Sequence, residues 1–527
     1  MTKHSSRSFL KGAFILSLAG LFSKIISAGY RIPLQNLTGD YGFYIYQQVY
    51  PILGIALILS LYGFPAAISK VVSELISRKG ELSISSFFFP VFGWLMAAGG
   101  FIFLIGYFQS PWIASVMGDE KLTPSLRAAF VVFLLVPFVS ILRGVFQGNN
   151  EMSPTAFSQI IEQIFRVGVI ICTAFFVMNG GDVYRIGIGA SVGSMLGASA
   201  SFLFLFYWMS KNKGWWTWQR WQDQASYKKT IFLHGVLICL NYMLLLSLQL
   251  VDALTLVPNL LEAGVDLDKA RVMKGVFDRG QPLIQLGTVL ASSIALALIP
   301  SVSSRRMIEE PARVKKSIMS AVKMTVLICF AATAGLIFLF PAINQSFFQD
   351  GQGTGYLRVL MLVIIGSSIS ITLSSVLQGL GYVKQTAWVI VGGLVVKLIA
   401  NEMLAGFQAY GAAVASTIAV TFVLFGNIVI LRHEIPVNKW FKLPWKSLFL
   451  SLSGMVIGLY MTQLFIDMIF DLNGRTPLFI YTLLLTGVGA MVYFFLLLRT
   501  GAFTKEEIQI IPSYKWLAKL LPKGMNQ

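Results

Sequence analysis

The sequence predicts an all-α polytopic membrane protein of about 14 transmembrane helices, built as two six-helix lobes in parallel pseudo-repeat plus two C-terminal helices. Three observations lead there. Of 527 residues, 56% are hydrophobic and only 12% charged, with a mean hydropathy of +0.73; soluble domains carry about 25% charged residues. Apolar windows of about 20 residues recur along the whole chain, broken by Gly, Pro and charge clusters. The sequence also repeats itself at a constant offset.

The spans fall near 9–34, 42–68, 83–108, 123–147, 155–178, 183–209, 228–257, 274–301, 317–343, 354–378, 385–407, 410–431, 446–470 and 477–498. The first follows Lys3, Arg7 and Lys11 in the manner of a secretory signal. It has no small-x-small cleavage site and further spans follow, so it is expected to stay as an uncleaved first helix. The segments between spans alternate in charge. Lys70, Arg78, Lys79; Lys211, Lys213, Arg220, Lys228, Lys229; Arg305, Arg306, Arg313, Lys315, Lys316; and Arg432, Lys439, Lys442, Lys446 lie on one side, together with both termini. Gly39-Asp40, Gly118-Asp119-Glu120, Gly180-Gly181-Asp182, Gln349-Asp350 and Asp471-Leu472-Asn473 lie on the other. The positive-inside rule then places both ends in the cytoplasm of a bacterial cell membrane and requires an even number of spans. The net charge of +18 is thereby a matter of topology and not a nucleic-acid footprint.

Two flanks read as interfacial anchors: Trp215 to Trp221, and the tail from Glu506 to Lys523. The repeat is carried by Val145-Phe146-Gln147-Gly148 and Thr155-Ala156, which recur as Val376-Leu377-Gln378-Gly379 and Thr386-Ala387, 231 residues on. At that offset Arg166 meets Lys397 and Pro51 meets Pro282. An offset of six spans keeps both copies in one membrane orientation, as in transporters that rock two lobes about a central site. The expected division is 1–225 and 226–435 for the lobes, and 436–527 for the last two helices and a cytoplasmic amphipathic tail.

A cation at bilayer depth costs roughly 2.5–3.5 kcal/mol, and such residues face a cavity, a partner or a substrate. Lys24 and Arg31 are seven apart, two turns along one helix face. Gln159, Glu162, Gln163 and Arg166 form a polar stripe, in which Glu162 and Arg166 can pair at i,i+4. Lys397 and Asn401 stand in the repeat partner of that helix; Asn241 and Asp252 share a face of the seventh span; Asp278-Arg279 opens the eighth. Arg143 and Lys323 lie near the cytoplasmic side and are expected to snorkel. The blander reading of each pair is a structural ion pair. Five basic residues spread over corresponding lobes (Lys24, Arg31, Arg166, Arg279 and Lys397) favour a shared cationic cavity. No catalytic motif stands out: His4, His234 and His433 are scattered, and there is no HExxH, GxSxG or P-loop. Cys172, Cys239 and Cys329 make no metal-ligand spacing or disulfide framework. The expectation is a protein that is not an enzyme and has no cofactor or metal.

Ser23-Lys24, Tyr30-Arg31-Ile32-Pro33-Leu34, Gly39 to Gly42, Tyr46-Gln47 and Tyr50-Pro51, with Asp278-Arg279 through Leu298-Ile299-Pro300-Ser301, resemble the polysaccharide-biosynthesis membrane proteins. These include the stage V sporulation protein B group and the lipid II flippases of the multidrug/oligosaccharidyl-lipid/polysaccharide exporter superfamily. The resemblance implies a central cavity, alternating access, and a lipid-tail groove on the helices at 446–470 and 477–498. It puts Lys24 where flippases have an arginine after Phe-Ser, and makes Asp278-Arg279 a cavity pair. Two departures are plain: no charge lies between Tyr50 and Ser69, and Arg31 is displaced by about one residue. They separate the question of lipid II from that of an anionic lipid carrier.

The expected function is export of an undecaprenyl-pyrophosphate-linked sugar, with Lys24, Arg31 and Arg279 on the diphosphate and Asp278 orienting Arg279. Gln47, Glu162, Arg166, Asp252 and Lys397 are expected to line or gate the cavity. The partners are the lipid-linked sugar diphosphate and membrane lipids, with a coupling ion (sodium, proton or chloride) left open, no nucleic acid, and a monomeric state. The alternatives are a cation-coupled multidrug antiporter of the same superfamily, which needs an acidic cavity, and a non-transporting envelope-assembly scaffold.

Overall fold

The computed structural model describes residues 3–211, 216–218, 225–298, 302, 304–435, 443–469 and 474–503. In chain order its helices are α1 (Lys3–Gly29), α2 (Arg31–Ile58), α3 (Phe64–Lys79), α4 (Phe89–Val116), α5 (Thr123–Val131), α6 (Val136–Gly148), α7 (Met152–Met178), α8 (Arg185–Lys211), α9 (Ala225–Tyr242) and α10 (Leu244–Glu262). They continue as α11 (Leu267–Asp278), α12 (Gly280–Leu298), α13 (Ser304–Glu309), α14 (Pro311–Phe348), α15 (Thr354–Leu360), α16 (Val363–Gly379), α17 (Val383–Met403), α18 (Gln408–Leu431), α19 (Trp445–Ile469) and α20 (Arg475–Arg499). Among the described residues the one extended pairing is two residues long, Leu82–Ser83 beside Trp216–Thr217. The all-α membrane architecture holds.

Twelve helical stretches among the described residues are long and apolar enough to cross a membrane. The first, Leu18–Arg78, is 61 residues long, about three times what one crossing needs. Besides the junction of α1 and α2 at Tyr30, it kinks at Gly39, whose φ of 68° an L side chain rarely adopts. Pro33, in the first turn of α2, needs no helical N–H partner, which lets α1 and α2 follow each other through Tyr30. The seventh expected span divides at Met243 between α9 and α10, and the eighth at Arg279 between α11 and α12. Trp215 and Trp221, the tail from Glu506, and Asp471 to Asn473 lie outside the described residues, as do Pro300 and Ser301.

The chain forms two compact units, Met1–Asp278 with Val383–Ala419, and Arg279–Tyr382 with Val420–Gln527. In the first, α7 and α8 pack closely because Gly189, Gly193 and Gly197 form a small-residue stripe along α8. A Cβ on Gly197 would stand 2.5 Å from the Glu162 carbonyl, and one on Gly193 2.9 Å from that of Arg166. Such stripes let membrane helices approach backbone to backbone, and this one sets the depth of the polar residues on α7. Gly275 of α11 likewise meets the Asp40 carbonyl of α2.

In the second unit α14 is 38 residues long, about 57 Å at 1.5 Å per residue, nearly twice the hydrocarbon core. The last helix, α20, seats on it at both ends: the Tyr493 hydroxyl donates to the Leu327 carbonyl at 2.6 Å, and Arg475 donates to the Ser346 carbonyl at 3.0 Å. Thr288 meets Ser367 at 3.1 Å and Thr325 meets Thr372 at 2.9 Å, so hydroxyl pairs tie α12, α14 and α16 together.

Candidate functional site

Helices α1 and α2 bring their charges to very different ends. Arg31 is fully buried, and none of its three guanidinium nitrogens has a hydrogen-bond partner. The group lies over the Tyr50 ring, 4.0 Å from the centroid. Tyr30 and Tyr46 hydrogen-bond through their hydroxyls beside it. Lys24 is half-buried, and among the described residues no carboxylate pairs with it. Gln47, one turn before Tyr50 on the same face, has neither end of its amide bonded.

On α7 the polar stripe is real, but its carboxylate serves two cations. Glu162 accepts from Arg166 at 2.6 Å and from Arg143 of α6 at 2.8 Å. Arg143 does not snorkel: it is fully buried and also donates to Ser158 at 3.0 Å, Ser201 at 3.0 Å and the Ser60 carbonyl at 3.3 Å. One carboxylate between two guanidiniums leaves a net positive charge. Gln159 and Gln163 stand on the same stripe, and the unbonded Gln159 Oε1 comes within about 4 Å of a Cβ built on Gly20 of α1. Arg166 is also within electrostatic reach of Tyr30.

Two further buried pairs lie in this unit. Lys397 donates to Asp252 at 2.7 Å, to the Ala412 carbonyl at 2.9 Å and to Ser416 at 2.7 Å, using all three ammonium protons. Asn401 bridges Asp252 at 3.2 Å and Thr255 at 2.7 Å. Lys274 holds Asp278 through both carboxylate oxygens, at 2.7 and 2.5 Å. Asp278 lies within electrostatic reach of Arg31 and Asp252.

Asp278 therefore does not orient Arg279. On α11 it points to Lys274, one turn back, whereas Arg279 sits in the turn that follows and belongs to the other unit. There Arg279 is fully buried and forms a fork with Asp350 at 2.6 and 2.9 Å, with Asn344 at 3.1 Å. Asn344 in turn donates to the Gln352 carbonyl at 2.7 Å, which fixes the loop. Partial burial by itself raises the Asp350 carboxyl, but the Arg279 guanidinium and the Gln352 N–H outweigh it and hold it below the usual carboxylate range. Arg279 arrives already neutralised.

At the side poor in Lys and Arg, Asp119 is buried under Arg271 at 2.9 Å, Tyr184 at 2.8 Å and Tyr44 at 3.2 Å. Arg143, Lys274, Asp350, Arg271 and Tyr50 are the site residues that sequence reasoning did not single out in these roles. Only Lys274–Asp278, at i,i+4, carried a usable signal.

Among the described residues of the first unit each of the four buried carboxylates (Asp119, Glu162, Asp252 and Asp278) has a basic partner, while no carboxylate pairs with Arg31 or Lys24. Among the described residues no cluster of His, Cys, Asp or Glu has the makings of a metal site. The surplus is positive, buried and aromatic-lined, a setting for an anion.

Comparison with known proteins agrees with this membrane architecture. Residues 9–306 match the family described as "Polysaccharide biosynthesis protein", and residues 276–403 match the MatE family. The chain is 37% identical to the uncharacterized membrane protein YabM of Bacillus subtilis (strain 168), over 97% of this chain and 96% of that protein. It is 27% identical to the lipid II flippase MurJ of the same organism, over 97% and 98%. A solved structure of lipid II flippase MurJ in an inward closed conformation superposes with a TM-score of 0.64 at 16% identity, covering 93% of this chain and 97% of that one.

Proposed function

The chain belongs to the polysaccharide biosynthesis protein family, within the multidrug/oligosaccharidyl-lipid/polysaccharide exporter superfamily, and on that premise we propose that this multi-pass protein of the bacterial cytoplasmic membrane flips an undecaprenyl-pyrophosphate-linked sugar outward. The observation that carries the reading is the fully buried Arg31 guanidinium, without a hydrogen-bond partner in a unit where each buried carboxylate among the described residues already has a basic partner. An unpaired buried cation is costly, and a phosphate oxygen bound by the arginine fork offsets that cost.

In this reading Lys24 and Arg31 take the diphosphate, while Arg279, held by Asp350, anchors the start of α12. The sequence-level lobes 1–225 and 226–435 alternate access, both termini are cytoplasmic, and the helices at 446–470 and 477–498 receive the lipid tail. Glu162–Arg166 and Asp252–Lys397 keep the interior charge balanced while the headgroup crosses. A potential negative inside favours outward movement of an anion by about 2.3 kcal/mol per uncompensated charge per 100 mV.

The MatE match favours a cationic-drug exporter as the second reading. That function needs a buried carboxylate free to meet a cation, and among the described buried residues each one is engaged. Reconstituted protein with fluorescent lipid-linked sugar decides between them. Wild type should move the lipid and Arg31→Gln should not; export of cationic dye with an unmoved lipid would reverse the assignment.

A further inference from the structure

The same unit holds a second kind of unmet demand. Both ends of the Gln47 amide, the Gln159 carbonyl oxygen and the Gln163 amide nitrogen lack partners, although each side chain is at least nine-tenths buried. A buried polar group with no partner costs about 1–3 kcal/mol, and native interiors rarely leave several together. A phosphate cannot answer this demand in full, because an ionised phosphate only accepts hydrogen bonds and an amide oxygen needs a donor. For Gln47 the conclusion is independent of which end of the amide is which, since both are unmet.

Their placement is specific. Gln47 shares a face of α2 with Tyr50, one turn on, and the Tyr50 ring carries Arg31. Gln159 and Gln163 share a face of α7 with Arg166, which lies within electrostatic reach of Tyr30. The Gln47 amide is thus one turn from the ring that carries Arg31, and the two α7 amides share a face with an arginine within electrostatic reach of Tyr30. Hydroxyl groups both donate and accept, and the C–H faces of a pyranose lie well against tyrosine rings.

We propose that Gln47, with Gln159 and Gln163, forms a subsite for the first sugar of the lipid-linked substrate, reading its hydroxyl or acetamido groups while Arg31 holds the adjoining phosphate. This rests on the transport reading above and goes beyond it by assigning separate residues to the sugar.

The test measures binding to purified protein in nanodiscs with two probes, bare undecaprenyl diphosphate and undecaprenyl diphosphate bearing one N-acetylhexosamine. Wild type should bind the sugar-bearing lipid about tenfold or more tightly than the bare one, the size expected of one or two buried hydrogen bonds. Gln47→Leu should erase that preference, leave affinity for the bare lipid unchanged, and leave thermal stability equal or higher, because an unmet buried amide is removed. Arg31→Gln should weaken both lipids alike. Equal binding of the two lipids by wild type, or a Gln47→Leu variant that loses both equally or melts lower, would overturn the subsite and leave the transport reading standing. Wild type that binds neither lipid would sink both.

Discussion

Replacing Arg31 by glutamine separates a functional cation from a structural one. In the structure none of the guanidinium nitrogens meets a carboxylate or a geometrically sound hydrogen-bond acceptor, and the group lies 4.0 Å from the centroid of the Tyr50 ring. A desolvated cation–π contact contributes about 2 kcal/mol. Holding a cation at membrane depth costs roughly 2.5–3.5 kcal/mol on insertion scales. The difference, about 1 kcal/mol, favours the neutral variant, so Arg31→Gln should be as stable as wild type or slightly more so. Transport should nevertheless fall by an order of magnitude or more, since a lost charge-assisted pair is worth about 1.5–3 kcal/mol. Equilibrium unfolding in mixed micelles gives the first quantity, and the lipid-flip assay gives the second. A variant that loses more than about 2 kcal/mol of stability, or that transports normally, refutes the argument.

The other buried charges should behave in the opposite way. Glu162→Gln leaves Arg143 and Arg166 facing each other without a carboxylate and should destabilise by about 3–5 kcal/mol, with Arg143→Met in the same chain restoring part of it; unfolding of the single and double variants checks this. Asp252→Asn should cost a similar amount by stranding the Lys397 ammonium, and pairing it with Lys397→Met should recover most of the loss in the same measurement. Because the folded Asp350 carboxyl is held below its unfolded value, its contact with Arg279 adds stability above about pH 5 that disappears as pH falls through the folded value. The gap between wild type and Asp350→Asn in unfolding midpoint should therefore be constant near neutrality and close in acid. Gly197→Leu should separate α7 from α8 and lower both yield and melting temperature, because a Cβ there already stands 2.5 Å from the Glu162 carbonyl.

Apolar window length and the alternation of basic segments made the helical membrane architecture readable from residue order alone, since both depend only on composition along the chain. The same holds for the list of charges at depth, because a cation in an apolar window is conspicuous wherever it later points. Helix spacing also exposed Glu162–Arg166, whose partners lie one turn apart on one helix. Tertiary structure decided which charges cancel. Arg143 reaches Glu162 across 19 residues, Arg279 reaches Asp350 across 71, and Asp252 reaches Lys397 from another helix. Such pairings depend on the rotation and separation of packed helices, which glycine stripes such as that of α8 set through close approach and which no local pattern encodes. Residue order could therefore say that positive charge lies within the membrane, but only the packed helices determined that Glu162 takes Arg143, that Asp350 takes Arg279, and that Arg31 is left without a carboxylate, because neutralisation is a matter of distance in space.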